Sequence, residues 1–412
     1  MRHQLRFSCV LGLSVVAALA ACSRRHEAAP TTWNPQKAAF YLDAREVTWM
    51  GWPGSARDHD TFCVSCHTVV PYVLSRSALR ETLGESGQTQ DEQKVLDDVA
   101  KRVRLWRELE PYYAGGSYDD AKPTESRGTE AVLNALILAN NDARSGKMSD
   151  LTRSAFANMW TTQLTEGDAK GAWPWLRFGM EPWEANDSQY YGAALAAIAV
   201  GIAPENYRTS PEIQDKIKLL RDYLNREYAT QSVLNHAALL WASARLPGLV
   251  DSARQKAMIQ ELNSSQRSDG GWELSSLAWP AEWNWHSIVR KRLRSDWSRQ
   301  DSQSDGYATG LIVLALQEVG VPRENATVKH GLAWLASNQN PTDGSWPSIS
   351  LTKRRSTTSN VGHFMRDAAT AYAVLALTES DKASKHAFDV MNAHPGVPVA
   401  HGTRLDAATR GK

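Results

Sequence analysis

Several things are missing from this 412-residue chain. It has no charge excess, with 46 Lys+Arg against 45 Asp+Glu. That balance excludes a nucleic-acid binder driven by bulk electrostatics, though not local basic patches. No second CxxC and no HxxxH pair accompanies Cys63 and Cys66, so a four-ligand structural zinc has no ligand set. No stretch between 36 and 380 alternates apolar and polar residues with period two over any length, so no sheet is expected. Near the N-terminus the apolar run Val10 to Ala21 spans 12 residues, too few for the roughly 20 that a bilayer needs. Phe is sparse at 7, whereas Trp reaches 16. A recurrent large flat ring with one polar N–H is wanted here.

What is present begins with export. Arg2 and Arg6 precede that short apolar run, which suits a signal peptide. The run ends Leu19-Ala20-Ala21-Cys22, which resembles a bacterial lipobox. The resemblance implies removal of residues 1–21, lipidation of Cys22, and a place in the periplasm or cell envelope on a membrane anchor. Ordinary cleavage near Ala21 is the alternative. Cys9 leaves with the signal in either case. Lipidation of Cys22 then leaves Cys63 and Cys66 as the free thiols.

Those two stand in Cys63-Val64-Ser65-Cys66-His67. This CxxCH pattern resembles the c-type haem attachment site. Two thiols three residues apart near a helix start add to the vinyl groups of one haem c, and His67 reaches the iron from the same side. A Cys63–Cys66 disulfide is the competing reading, without the βαβ context of a thioredoxin motif. Downstream, residues 68–79 read as a helix with Pro71 tolerated in its first turn. Residues 81–94 read as a loop, and Glu92 to Glu110 as a second helix.

An internal repeat then dominates. Three helices run into Gly-rich turns closed by Trp: Gln163 to Trp173, Gln266 to Trp272 and Gln339 to Trp346. Each is followed by a loop and an Ala/Leu-rich helix, with starts expected at Asp187, Asp305 and Asp367. Asp187 and Gly192, and Asp305 and Gly310, share a spacing of five. Small residues and nearly all-round apolarity mark these helices, and those at 129–140 and 232–244, as buried. Single apolar stripes at 212–228, 253–263 and 328–338 mark an outer layer.

The Q…DG-x-W turns resemble the QW-type repeats of the squalene cyclase and protein prenyltransferase superfamily, over roughly 36–380. The resemblance implies an all-α fold, an α/α toroid with inner and outer helix layers around a central cavity. It gives Trp173, Trp272 and Trp346 a structural role. It does not transfer an activity. No DxDD acid motif occurs, and although Asp305 and His363 lie in plausible regions for a prenyltransferase zinc, no Cys lies beyond Cys66. Expected boundaries are a signal at 1–21, a linker at 22–35, a haem-binding helical segment at 36–110, toroid repeats at 111–380 and a tail at 381–412.

The loops after the Trp turns are 13, 32 and 20 residues long. The long one holds Trp279, Trp283, Trp285, His286, Trp297 and the run Arg290-Lys291-Arg292-Leu293-Arg294. The third holds Lys353-Arg354-Arg355 and His363. Rings among cations suit an apolar or anionic small-molecule ligand, so Arg290, Arg292 and Arg294 are candidate propionate contacts. A solvated basic loop is the alternative. Asp187, Asp305 and Asp367 are helix caps or cavity-edge acids. Laying residues 38–79 on the repeat puts CxxCH at an inner-helix start. Met50, then His286 or His363, is the candidate sixth ligand. His236 is expected to be a satisfied core residue. The expected function is haem-based electron transfer or small-molecule redox, with a redox protein partner and no nucleic acid. A haem-free toroid acting on a terpenoid or glycan, and a periplasmic scaffold for a protein partner, are the alternatives.

Overall fold

The computed structural model describes residues 32–115, 120–279 and 285–393, and the side chains of 285–287 and 381–393 lie outside that description. Cys22 and the signal segment also lie outside it, as does Trp283. Among the described residues no helix is long and apolar enough to cross a membrane.

Two kinds of helix alternate along the chain. The first kind comprises α1 (Pro35–Met50), α3 (Gln90–Arg104), α5 (Asp150–Thr161), α7 (Gln214–Glu227), α9 (Ser252–Ser264) and α13 (Ala326–Ser337). The second comprises α2 (Val69–Leu83), α4 (Lys122–Ala143), α6 (Ser188–Ile202), α8 (Val233–Arg245), α12 (Gly306–Glu318) and α14 (Asn360–Ala393). Short α10 (Leu274–Leu277) and α11 (Trp285–Arg290) lie in the long loop before α12. The second set packs in a closed order, α2 on α4, α4 on α6, α6 on α8, α8 on α12, α12 on α14, and α14 back on α2. The first set lies against it. The described residues form an α/α toroid of six hairpins.

Composition explains the layering. From Gly306 to Leu316 every residue of α12 is buried, whereas α7 buries only Ile217, Leu220, Tyr223 and Leu224. A helix apolar all round must be enclosed, and a striped one closes a surface. Gly310 is needed where α12 meets α14: a Cβ there would lie 2.6 Å from the Tyr372 carbonyl carbon.

The Gln–Trp turns hold the hairpins in the ring. Trp173, Trp272 and Trp346 are wholly buried and donate Nε1–H to Met159, Leu262 and Leu335 carbonyls at 2.7, 2.9 and 2.7 Å. Each Gln side chain bonds its own turn and the entrance of the next outer helix. Gln163 reaches the Lys216 carbonyl on α7 at 3.1 Å, and Gln266 the Thr327 carbonyl on α13 at 2.9 Å. Gln339 reaches across the ring closure, donating to the Asn34 carbonyl at 2.9 Å and accepting from Asn34 N–H at 2.6 Å. Gly344 of that turn has φ +80°, and its open side lies against the Lys37 backbone.

Three expectations change. The helix expected from Glu92 to Glu110 ends at Arg104, and α2 continues to Leu83 through part of the expected loop. A sheet exists, although small: β1 (Ala56–Arg57) pairs antiparallel with β2 (Thr61–Phe62). Two-residue strands are too short to carry a periodicity. The boundary at residue 110 falls between α3 and α4, which form one hairpin, and α14 runs on to Ala393.

Candidate functional site

The CxxCH segment is the link between α1 and α2. The Trp49 indole donates to the Cys63 carbonyl at 2.8 Å, and Cys63 N–H donates to the Ser55 carbonyl at 2.8 Å. Ser65, between the two cysteines, accepts from Thr68 N–H at 3.3 Å and Val69 N–H at 3.1 Å. It satisfies the start of α2, as a helix-capping serine does. Phe62 N–H is held by the Asp98 carboxylate on α3 at 3.0 Å. The motif is thus tied to α1, α2 and α3.

His67 is buried in an aromatic box. Its ring stacks on Phe364 of α14 at 3.7 Å and 16°, with Trp49 edge-on at 5.1 Å and Trp183 at 5.5 Å. Its Nδ1 lies 2.9 Å from the Thr68 hydroxyl, which lies 3.2 Å from Asp367 Oδ2. A hydroxyl has one proton to donate. Given to the Asp367 carboxylate, it leaves the Thr68 oxygen to accept from Nδ1–H. This network assigns the tautomer: Nε2 carries the lone pair. Asp367 is held by the Tyr41 hydroxyl and Arg45 Nε, both at 2.9 Å. Burial, aided by the Arg45 charge, pushes His67 down to about 3. It is neutral at ordinary pH, the form that binds metals.

The two thiols are free and buried. Burial pushes Cys63 up to about 12 and Cys66 well above its ordinary value. Trp183 beside His67 leads edge-on, at 5.6 Å, to a cluster of tyrosines, Tyr307, Tyr372 and Tyr191. These belong to α6, α12 and α14, and the Tyr191 and Tyr372 hydroxyls are 2.8 Å apart. The motif therefore sits at the end of the ring where inner helices begin. Among the described residues no cluster of three or more His, Cys, Asp or Glu could hold a bare metal ion.

The three aspartates part company. Asp305 caps α12, accepting from Tyr307 N–H at 2.9 Å and Ala308 N–H at 3.1 Å. Asp187 precedes α6 without a capping bond and lies 3.3 Å from the Asn235 amide. Asp367 does not start a helix. The helix begins earlier, at Asn360, and Asp367 is used instead to orient His67. Burial pushes Asp187 and Asp305 up to about 6, and desolvation does the same to Glu181 (about 8) and Glu184 (about 7) in the loop before α6. Glu46 is fully buried, with no hydrogen bond to either carboxylate oxygen. Sequence reasoning missed these three glutamates. Only Glu46 left a signal, four residues after Leu42 and three before Trp49 on the buried face of α1.

The basic residues divide. Arg294 is buried, and its guanidinium bonds the Ser350 carbonyl at 2.7 Å, the Arg299 carbonyl and Asp301. It pins two loops together. Arg290 lies over the Trp279 ring at 5.7 Å and Arg292 is exposed. Met50 ends α1, half-buried against the core. His363 lies one residue before Phe364 and its buried Nδ1 lacks a hydrogen-bond partner. The side chains of Trp285 and His286 lie outside the described residues. His236 is satisfied by Glu261 at 2.7 Å and the Tyr228 carbonyl at 3.0 Å.

No protein-family model matches the chain. No curated protein matches it either. Similar solved structures include a glycosidase at 12% identity, covering 84% of this chain and 98% of that one, with a TM-score of 0.47. The GH76A alpha-1,6-mannanase from Salegentibacter sp. HEL1_6 shares 11% identity over 85% of this chain and 99% of its own, TM-score 0.47. An ent-copalyl diphosphate synthase from Streptomyces platensis shares 16% over 75% and 50%, TM-score 0.42. Likeness at this level carries no argument about activity. The toroid assignment stands on the closed helix ring itself.

Proposed function

We propose that the protein is an exported redox protein with one c-type haem, bonded through Cys63 and Cys66 and ligated by His67 Nε2, in the mouth of the toroid. The observation that carries this reading is the Asp367–Thr68–His67 relay, which leaves Nε2 as the acceptor nitrogen beside two unpaired thiols. The residues present fit the group on their chemistry: two thiols at the right spacing, an adjacent neutral imidazole, and the apolar rings of Trp49, Trp183 and Phe364 packed around that imidazole. A bound haem would supply one-electron chemistry. The chain would orient the imidazole and exclude water. The thiols are buried and protonated in the folded protein, so their addition to the vinyl groups belongs before the α1–α2 hairpin closes. A lipid anchor on Cys22 and a redox protein partner complete the reading.

The test is expression with haem-maturation factors, followed by denaturing electrophoresis and haem staining. A stained band that disappears in Cys63→Ala/Cys66→Ala is expected. An unstained wild-type band refutes the reading.

The second reading is a haem-free toroid transforming a glycan or terpenoid. Its own observation is the set of carboxyls with raised pKa at the mouth, Glu181, Glu184, Asp187 and Asp305. Such groups are poised for general acid chemistry. Turnover of an oligosaccharide or prenyl substrate by unstained protein, lost in Glu184→Gln, would favour it.

A further inference from the structure

Two basic stretches about sixty residues apart in sequence converge on one groove. It encloses about 570 Å³ between residues 294–301, residues 348–357 and the first turns of α14. Six cations line it, Arg294, Arg299, Lys353, Arg354, Arg355 and Arg366, against the single acid Asp301. In a chain of 46 basic and 45 acidic residues this is a strong local separation of charge.

The walls are built before any ligand arrives. Ser295 N–H donates to the Thr352 carbonyl at 2.8 Å, and Gln300 reaches the Leu351 carbonyl at 2.9 Å. Arg354 N–H is held by Asp296 at 2.7 Å. The nearby acids are already engaged. Asp301 pairs with Arg294 at 3.3 Å, Asp343 stands 4.0 Å from Arg366, and Asp296 accepts from Ser298 at 2.6 Å. Among the described residues, Arg299, Lys353, Arg354 and Arg355 have no carboxylate partner. Four unpaired like charges around one concavity repel each other and focus a positive field into it.

We propose that this groove binds a soluble small ligand carrying two or more oxyanion groups, phosphate or sulfate esters. Guanidinium forks meet such groups in bidentate fashion, and cations spread over three segments select several oxyanions over one. The proposal is independent of the haem. Arg294, a candidate propionate contact by sequence, serves here as the pin of the wall.

Calorimetric titration of the full chain in non-ionic detergent tests it, with tripolyphosphate and sucrose octasulfate as probes and orthophosphate as the monovalent control. Either multivalent probe should bind at least tenfold more tightly than orthophosphate, and the tighter of the two assigns the phosphate or sulfate source. Arg354→Gln/Arg355→Gln should weaken binding at least tenfold, and Lys353→Gln by a smaller factor. Among the described residues these side chains make no hydrogen bond of their own, so thermal unfolding should be unchanged. Binding should also weaken as salt rises from 50 to 300 mM. No multivalent binding, or equal affinity in wild type and variants, overturns the proposal.

Discussion

Replacing Asp367 with Asn separates orientation of His67 from stability of the ring. In the wild type Asp367 is acceptor-only when ionised, and it takes the Thr68 proton. The Asn oxygen retains the bonds to Tyr41 and Arg45. Its amide then faces Thr68 as a donor, so the hydroxyl must turn and give its proton to His67 Nδ1. The ring proton moves to Nε2, and the lone pair is lost from the side that would meet a metal. Stability falls because two bonds to a charged acceptor become bonds to a neutral one. At about 1 kcal/mol each, the loss is about 2 kcal/mol. Asp367→Ala also leaves Arg45 unpaired at a site only 11% exposed, and should cost about 3–5 kcal/mol. Denaturant melts give the stability, and nitrogen chemical shifts of the His67 ring in haem-free protein give the tautomer. A folded Asp367→Asn protein with the wild-type Nδ1–H tautomer would refute the relay.

Two further outcomes follow from the geometry. Gln339→Ala removes three bonds at the ring closure, to Asn34 O, Asn34 N and Gly344 O. At about 0.5–1.5 kcal/mol per bond, it should lose roughly 2–3 kcal/mol in denaturant melts, more than Gln163→Ala, whose amide makes two bonds. The Asp98 carboxyl, pushed up by burial to about 7, is held neutral by the fold below that pH. A raised carboxyl pKa means the folded state holds a proton that the unfolded chain has already released, so stability falls as pH rises from the ordinary carboxyl range near 4 to about 7 and is level beyond. Asp98→Asn keeps an acceptor for Phe62 N–H and removes that loss. It should be more stable than wild type at pH 8, by at most on the order of 4 kcal/mol, and by a smaller margin, on the order of 1–2 kcal/mol, at pH 5. Melting temperatures at the two pH values check this, and no pH-dependent difference would contradict it.

Local signals in the sequence carried the helix layers. The all-round apolar pattern of 306–316 and the stripe of 214–227 each reflect neighbours three or four residues apart, so burial was readable without the fold. The Gln–Trp turns were readable too, because each Trp closes onto the helix it has just left, as Trp346 does onto Leu335. So was CxxCH at the start of an inner helix. Ring closure decided the rest. It brings Asn34 to Gln339, 305 positions away, and Thr68 to Asp367, 299 away. A charge pattern along the chain cannot show such pairs, so Asp367 read as a cap and Arg294 as a ligand contact. Desolvation is likewise a property of the packed ring: nothing in the chain around Glu181 or Glu184 says how much water remains. Local periodicity determined the helices and their faces. The closed ring determined which polar side chains meet, because hydrogen bonds and lost solvation depend on distance in space rather than along the chain.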